Sequence, residues 1–239
     1  MAGNWLQSLM ARRSFLARLG AGVGVLGATA VGSPAAMADA AGRGAVDAAW
    51  RPARHEQDSW LDNIPGQHRF VFDTISPDGV ALALRFANNY YRTNETTYGL
   101  KETDLAVLII TRHKATSFGY SDAMWAKYGK QFSEQSEFTD PKTKQPPTVN
   151  FYAKPDDGSG DQLSGAMLAL IKKGVHFAVC ATASRAIAGR IAKANGGDVD
   201  AIVKELGSNL ICPNARFVPA GIVAVNRAQE HGYSLVSPG

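Results

Sequence analysis

Residues 105–110 read Leu-Ala-Val-Leu-Ile-Ile, six apolar side chains in succession. A strand sends successive side chains to opposite faces, so an unbroken apolar run needs a dry surface on both sides. Six residues is short for a buried helix and ordinary for a strand, and the β-branched residues favour the strand. Such a strand sits inside a parallel sheet covered by helices on both faces.

The surrounding pattern fits that requirement. Phe70–Asp73 is a short β-rich run, and Ser76-Pro77-Asp78 is a helix start, with a serine cap ahead of proline at the first helical position. Val80, Leu82, Leu84, Phe86, Ala87 and Tyr90 then space an amphipathic helix to about Asn94. A helix is expected over Ser121–Phe132, and further helices over Gln162–Lys173, Ala183–Ala194, Asp198–Leu206 and Ile222–Glu230. Val175–Cys180 and Ala215–Pro219 read as buried strands, and Tyr233–Val236 as an edge strand. Strands alternating with helices give an α/β fold: a doubly wound, mostly parallel, five-stranded sheet over residues 67–239. Residues 133–160 carry Pro141, Pro146, Pro147 and "DDGSG" and are expected as an irregular insertion, with a hairpin around Val149–Ala153.

The N-terminus has a different character. Arg12-Arg13-Ser14-Phe15-Leu16 leads into a Gly/Ala-rich run from Leu19 to Val31, and Ala36-Met37-Ala38 fits a small-residue cleavage site. That order of features is a twin-arginine export signal over residues 1–38. The run is shorter than the ~20 residues that span a bilayer, so membrane contact is expected only during export. The mature chain is then expected to begin near Asp39 in an oxidising bacterial periplasm. Residues 39–66 lack a clear period and are expected as a linker or lightly packed arm.

Charge excludes one class of partner. The whole chain is +4, but Arg12, Arg13 and Arg18 lie in the signal, leaving 22 basic side chains (25 less these three) against 21 acidic ones. With no basic cluster interleaved with aromatics, nucleic acid is not an expected partner. No phosphate-binding glycine loop, dinucleotide fingerprint or nucleophile elbow follows a strand, so no cofactor is implied. The five histidines and two cysteines lack metal-ligand spacing.

In an open α/β sheet, ligands bind beyond the carboxyl ends of the strands near a switch point. That rule selects Asp73, Thr74 and Ser76 after the first strand, and Thr111, Arg112 and His113 after the second. After the third come Cys180, Thr182, Ser184 and Arg185, and after the fourth Pro219, Ala220 and Gly221. Cys180 has two readings. It ends a strand just before a helix, where free N–H groups would favour a thiolate nucleophile, yet free cysteine is also among the most commonly buried residues. His113 is either a proton acceptor or ligand in the pocket or a loop histidine bonded to backbone. A Cys180–Cys212 disulfide is disfavoured. Cys212 precedes its strand while Cys180 ends its own; a strand of this length spans about 20 Å, and a disulfide needs Cα atoms within about 7 Å.

"GVHFAVCATASRA" followed by "ARFVPAGIVAVNRAQEHGYSLV" resembles the DsrE/DsrF-like proteins. The likeness covers roughly residues 69–239, and its last third is the most specific part. It implies a three-layer α/β/α, flavodoxin-like fold and a homo-oligomer, often a trimer or hexamer. It also implies that Cys180 occupies the position where relay members carry a persulfide between a sulfur donor and an acceptor protein. The export signal and the 133–160 insertion depart from the compact cytoplasmic relay members. Two other readings stand beside it: a non-catalytic oligomeric module binding a small ligand or metal at the same strand ends, and a redox-sensing thiol.

Overall fold

Seven consecutive residues, Leu105–Thr111, form β2, and every one of them is buried. Leu105, Val107 and Ile109 point into one apolar cluster, while Ala106, Leu108 and Ile110 point into the other. The two faces are therefore dry in alternation, as the unbroken apolar run requires. The computed structural model describes residues 51–155, 163 and 165–238. The expected export signal, the first part of the expected linker, the "DDGSG" stretch and Gln162 lie outside the described residues.

β2 pairs in parallel with β1 (His68–Thr74) on one side and β3 (His176–Cys180) on the other. β4 (Ala215–Val218) adds beyond β3, and β5 (Ser234–Val236) beyond β1. The sheet is parallel throughout, in the order β4-β3-β2-β1-β5. Helices cover both faces, giving the three layers of an α/β/α, flavodoxin-like architecture.

The larger layer holds α2 (Pro77–Tyr98), α3 (Asp122–Ser136), α4 (Ala166–Lys172), α5 (Ala181–Asn195) and α6 (Val199–Ser208). Their buried residues, among them Leu84, Trp125, Leu170, Ile187 and Leu206, share one cluster with Phe72, Val107, Ile109 and Phe177 of the sheet. The opposite layer consists of α1 (Trp60–Asn63) and α7 (Gly221–Glu230). It packs Leu61, Ile64, Ala224, Val225 and Ala228 on Val71, Leu108, Ile110 and Ala178. Each fully buried aliphatic side chain of this kind contributes about 1.5–3 kcal/mol of apolar transfer.

The asymmetry of the layers follows from strand order. From β1 to β4 the chain steps repeatedly in one direction, and right-handed crossovers put those helices on one face. From β4 to β5 it returns across the sheet, and the same handedness puts α7 on the other face.

Several local expectations change. α2 runs four residues past Asn94, to Tyr98, because Glu95-Thr96-Thr97 carry no apolar signal but do not break a helix; Gly99, in the left-handed region at φ 67°, ends it. α5 begins at Ala181 rather than Ala183, with Cys180 itself as the cap. Within the segment expected as a linker, α1 and Ile64 are packed into the core. Arg69 Nη1 holds the Leu61 carbonyl at 2.7 Å, and the Tyr233 hydroxyl donates to the same oxygen at 2.9 Å.

The insertion also differs. Residues 133–136 are the last turn of α3, and the expected hairpin is a 3-10 turn, Phe151–Ala153. Asn150 builds that turn: its Oδ1 accepts from the Tyr152 N–H, and its Nδ2 donates to the carbonyls of Phe118 and Tyr120 at 2.9 Å. The β-favouring aromatics serve packing instead, with Phe151 and Tyr152 against Phe138, and Tyr152 against Phe118.

Two tests follow from this packing. Gly66 has φ 120°, and a Cβ there would lie 2.5 Å from the Ala106 backbone nitrogen. Gly66→Ala should lower unfolding free energy by about 1–3 kcal/mol in urea titration, because backbone cannot yield as a side chain can. The second test is of pH dependence. The Thr143 N–H, then that of Lys142 and the Lys154 ammonium, hold Asp140 below the usual carboxylate range against partial burial. A folded-state value below the unfolded one contributes stability above the unfolded value, lost as pH falls through the folded one. The thermal midpoint should therefore fall with acidification across that range, and Asp140→Asn should flatten this part of the curve.

Candidate functional site

Where neighbouring strands send their following helices to opposite faces, the loops diverge and leave a crevice. Here that happens between β3, which leads into α5, and β4, which leads into α7. A cavity of about 540 Å³ opens there. Cys180, Thr182, Ala183, Ala186 and Arg190 line one side, Ala220, Gly221 and Ile222 a second, and Arg112, His113 and Lys114 a third. Glu134, Gln135 and Glu137, from the end of α3, complete the wall.

Cys180 is the last residue of β3, paired in register with Val218, and is 6% exposed. As the cap of α5 its sulfur accepts the Ala183 N–H at 3.4 Å. Its carbonyl accepts from Ser184 Oγ at 2.7 Å, and the buried Tyr120 hydroxyl donates in turn to that serine. Burial, chiefly, and the neighbouring Cys180 push the Tyr120 phenol well above its ordinary range, against a smaller opposing effect of the Ser184 bond. Tyr120 is therefore a neutral donor, and this chain anchors the strand end under the cavity.

Arg112 is positioned by a bidentate pair with Asp73, from Nε to Oδ1 at 2.7 Å and from Nη2 to Oδ2 at 2.8 Å. Asp73 is 5% exposed and also accepts from Ser237 Oγ at 3.3 Å. The Asp73 hydrogen bond and then the charges of Asp73 and Cys180 hold the Arg112 guanidinium more firmly protonated than usual, against the opposing effect of burial. The stem of Arg112 crosses the first turn of α7 over Gly221, where a Cβ would come within 2.6 Å of Arg112 Cβ. Glycine is needed at that position for close approach, not for its φ.

His113 occupies the left-handed region at φ 53° and opens a 3-10 turn, His113–Gly119. Its carbonyl accepts from Gln135 Nε2 at 2.8 Å and from Thr116 Oγ1 at 2.9 Å, while the residue lines the cavity. Lys114 pairs with Glu137 at 2.5 Å, and that hydrogen bond, followed by the lysine's charge, holds the Glu137 carboxyl below its usual range. Thr182 Oγ1 donates to the Pro219 carbonyl at 2.9 Å, tying the two diverging loops together.

Of the residues selected from sequence, the structure brings Cys180, Arg112, His113, Thr182, Ala220 and Gly221 to the cavity. The others serve elsewhere: Asp73 anchors Arg112, and Thr111 is buried at the end of β2. Thr74 is buried and donates to the Ile110 carbonyl at 2.7 Å. Ser76 caps α2 by accepting the Gly79 N–H. Ser184 lies beneath the site, in the Tyr120 chain. Arg185 turns outward to Asp200 at 2.7 Å, because one helical position from Ser184 swings it to the solvent side. Pro219 contributes its carbonyl to Thr182 and its ring to a separate hollow beside Trp60 and Arg227.

Asp73 was expected at this strand end but not as the anchor of Arg112, and Arg190 was not among the expected residues. Ala183, Ala186 and Arg190 fall at helical spacing from Cys180 and were open to that reading. Glu134, Gln135 and Glu137 reach the site from a distant part of the chain and carry no local signal. Among the described residues, no group of three His, Cys, Asp or Glu is placed to hold a metal ion, and no helix is long and apolar enough to cross a membrane.

No protein-family model matches this chain, and no curated protein matches it in sequence. The likeness to DsrE/DsrF-like proteins rests on the residues quoted for it above.

The two cysteines are unpaired and should differ in reactivity. Burial pushes the Cys212 thiol up, against backbone N–H groups of Asn214 and Ala215, so it stays protonated well above neutrality. Cys180, though buried, lines the open cavity. Iodoacetamide labelling read by peptide mass mapping should modify Cys180 before Cys212, and Cys180→Ser should abolish the fast phase.

Proposed function

We propose that this chain is an exported DsrE-like protein that accepts sulfur on Cys180 as a persulfide and passes it on. The observation carrying this reading is the position of the Cys180 sulfur. It caps α5 and accepts the Ala183 N–H, and Cys180 lines a cavity that the Asp73-anchored Arg112 also lines. Sulfur at this position has a donor N–H and a helix start beside it, and shares the cavity with a guanidinium fixed by Asp73.

The step is a sulfur transfer between thiolates. The Cys180 thiolate attacks the terminal sulfur of a donor persulfide, R–S–SH. A new S–S bond forms as the donor S–S bond breaks, and its electron pair leaves with R–S⁻. Cys180–S–SH results, with the proton still on the transferred sulfur. An acceptor thiolate repeats the attack and restores Cys180–S⁻, so no external oxidant or reductant is consumed. The Arg-Arg-x-Phe-Leu segment and the Ala-Met-Ala site support a periplasmic location for this chemistry.

Reduced full-length protein treated with an alkyl persulfide should gain the mass of one sulfur atom, removable by dithiothreitol. Cys180→Ser should remain unmodified, and Cys212→Ser should load like wild type. Wild-type protein carrying no adduct at Cys180 would sink the proposal.

A further inference from the structure

The cavity beside Cys180 is built for more than the sulfur. α7 starts at Gly221 with no side-chain cap, and the N–H groups of Gly221 and Ile222 lie in its first turn, where a helix offers no intrahelical acceptor. α5 starts at the same cavity, so two helix N-termini converge on it from opposite layers of the fold. Arg112 spends Nε and Nη2 on Asp73, while its Nη1 has no partner among the described residues. Arg190, one wall away, makes no ion pair among the described residues. Two carboxylates also line the cavity. Glu137 is paired with Lys114, and Glu134 comes from α3.

Unused N–H donors, a fixed guanidinium and a free arginine around one sulfur suit an oxyanion rather than a neutral chain. Cys180 is itself only 6% exposed, which suits a small donor able to enter the cavity. We propose that the donor taken by this site is a small thiosulfonate-type anion, a sulfane sulfur bonded to an SO₃⁻ group, of which thiosulfate is the simplest member. This inference rests on the persulfide reading of Cys180 and names its donor class.

The Cys180 thiolate attacks the outer sulfur of thiosulfate. The S–S bond to the sulfonate sulfur breaks, and its electron pair leaves with sulfite. Three negative charges enter, one on the thiolate and two on thiosulfate; three leave, one on Cys180–S–S⁻ and two on sulfite. The first turn of α7 and Arg112 Nη1 hold the sulfonate oxygens as charge gathers on them, and Arg190 draws the anion into the mouth.

The test compares thiosulfate with an alkyl persulfide, which carries no sulfonate group, on the full chain, reading the Cys180 adduct by mass and released sulfite by colour. Thiosulfate should load Cys180 with one sulfite released per adduct. Arg112→Gln should slow loading from thiosulfate by at least about tenfold, the equivalent of one charge-assisted hydrogen bond, and loading from the alkyl persulfide far less. Arg190→Gln, at an exposed position that folding does not depend on, should show the same selectivity and weaken with added salt. Loading by the alkyl persulfide without loading by thiosulfate overturns the donor assignment and leaves the persulfide reading standing. Loading by neither removes both. Equal slowing of both donors by Arg190→Gln also overturns the assignment, since no oxyanion is then being recognised.

Discussion

The fold depends on one constraint: β2 can have no wet face. Its seven residues are buried along their whole length, and their alternation feeds both apolar clusters. One helical layer could dry only half of those side chains. The chain must therefore place helices on both sides, and with right-handed crossovers that requires it to reverse its direction along the sheet once. The reversal after β4 sends α7 to the face that the larger layer leaves open. A requirement that begins as the burial of six aliphatic residues thus ends by determining where the crevice falls.

At that crevice, stability and chemistry use the same groups. Cys180 terminates a buried strand, caps a helix and presents its sulfur to the cavity, while its carbonyl is held by the Ser184–Tyr120 chain. Asp73 and Arg112 end adjacent strands, and their bidentate pair fixes the guanidinium without side-chain ordering at the moment of binding. Breaking a pair of this kind by removing one partner costs about 3–5 kcal/mol when the remaining charge is buried, and Asp73 is buried. Gly221 makes the arrangement sterically possible, since any side chain there would collide with the arginine stem. The site is preorganised because its parts are also the joints of the fold.

Much of this was legible along the chain. The five strands, the Ser76-Pro77 helix start and the delivery of Cys180, Arg112, His113, Thr182 and Gly221 to the carboxyl edge all follow from periodicity and the switch-point rule. The rule gave an edge, however, and an edge is wider than a cavity. It included Thr74 and Ser76, whose hydroxyls are consumed by the Ile110 carbonyl and the α2 N-terminus. It included Arg185, which the turn of α5 carries to Asp200. The aromatic stretch around Phe151 had strand propensity but no strand to pair with, and it packs against Phe118 and Phe138 instead.

The sequence by itself determined the class of fold and the level at which a site could lie, because hydrophobic period and capping chemistry act over a few neighbouring residues. Only the tertiary structure decided which two loops part to form the cavity, that Asp73 aims Arg112, that Arg190 stands free, and that the end of α3 closes the wall. Those outcomes depend on residues tens of positions apart meeting across layers. No local pattern encodes such meetings, because they are fixed by strand order and by the packing of whole elements.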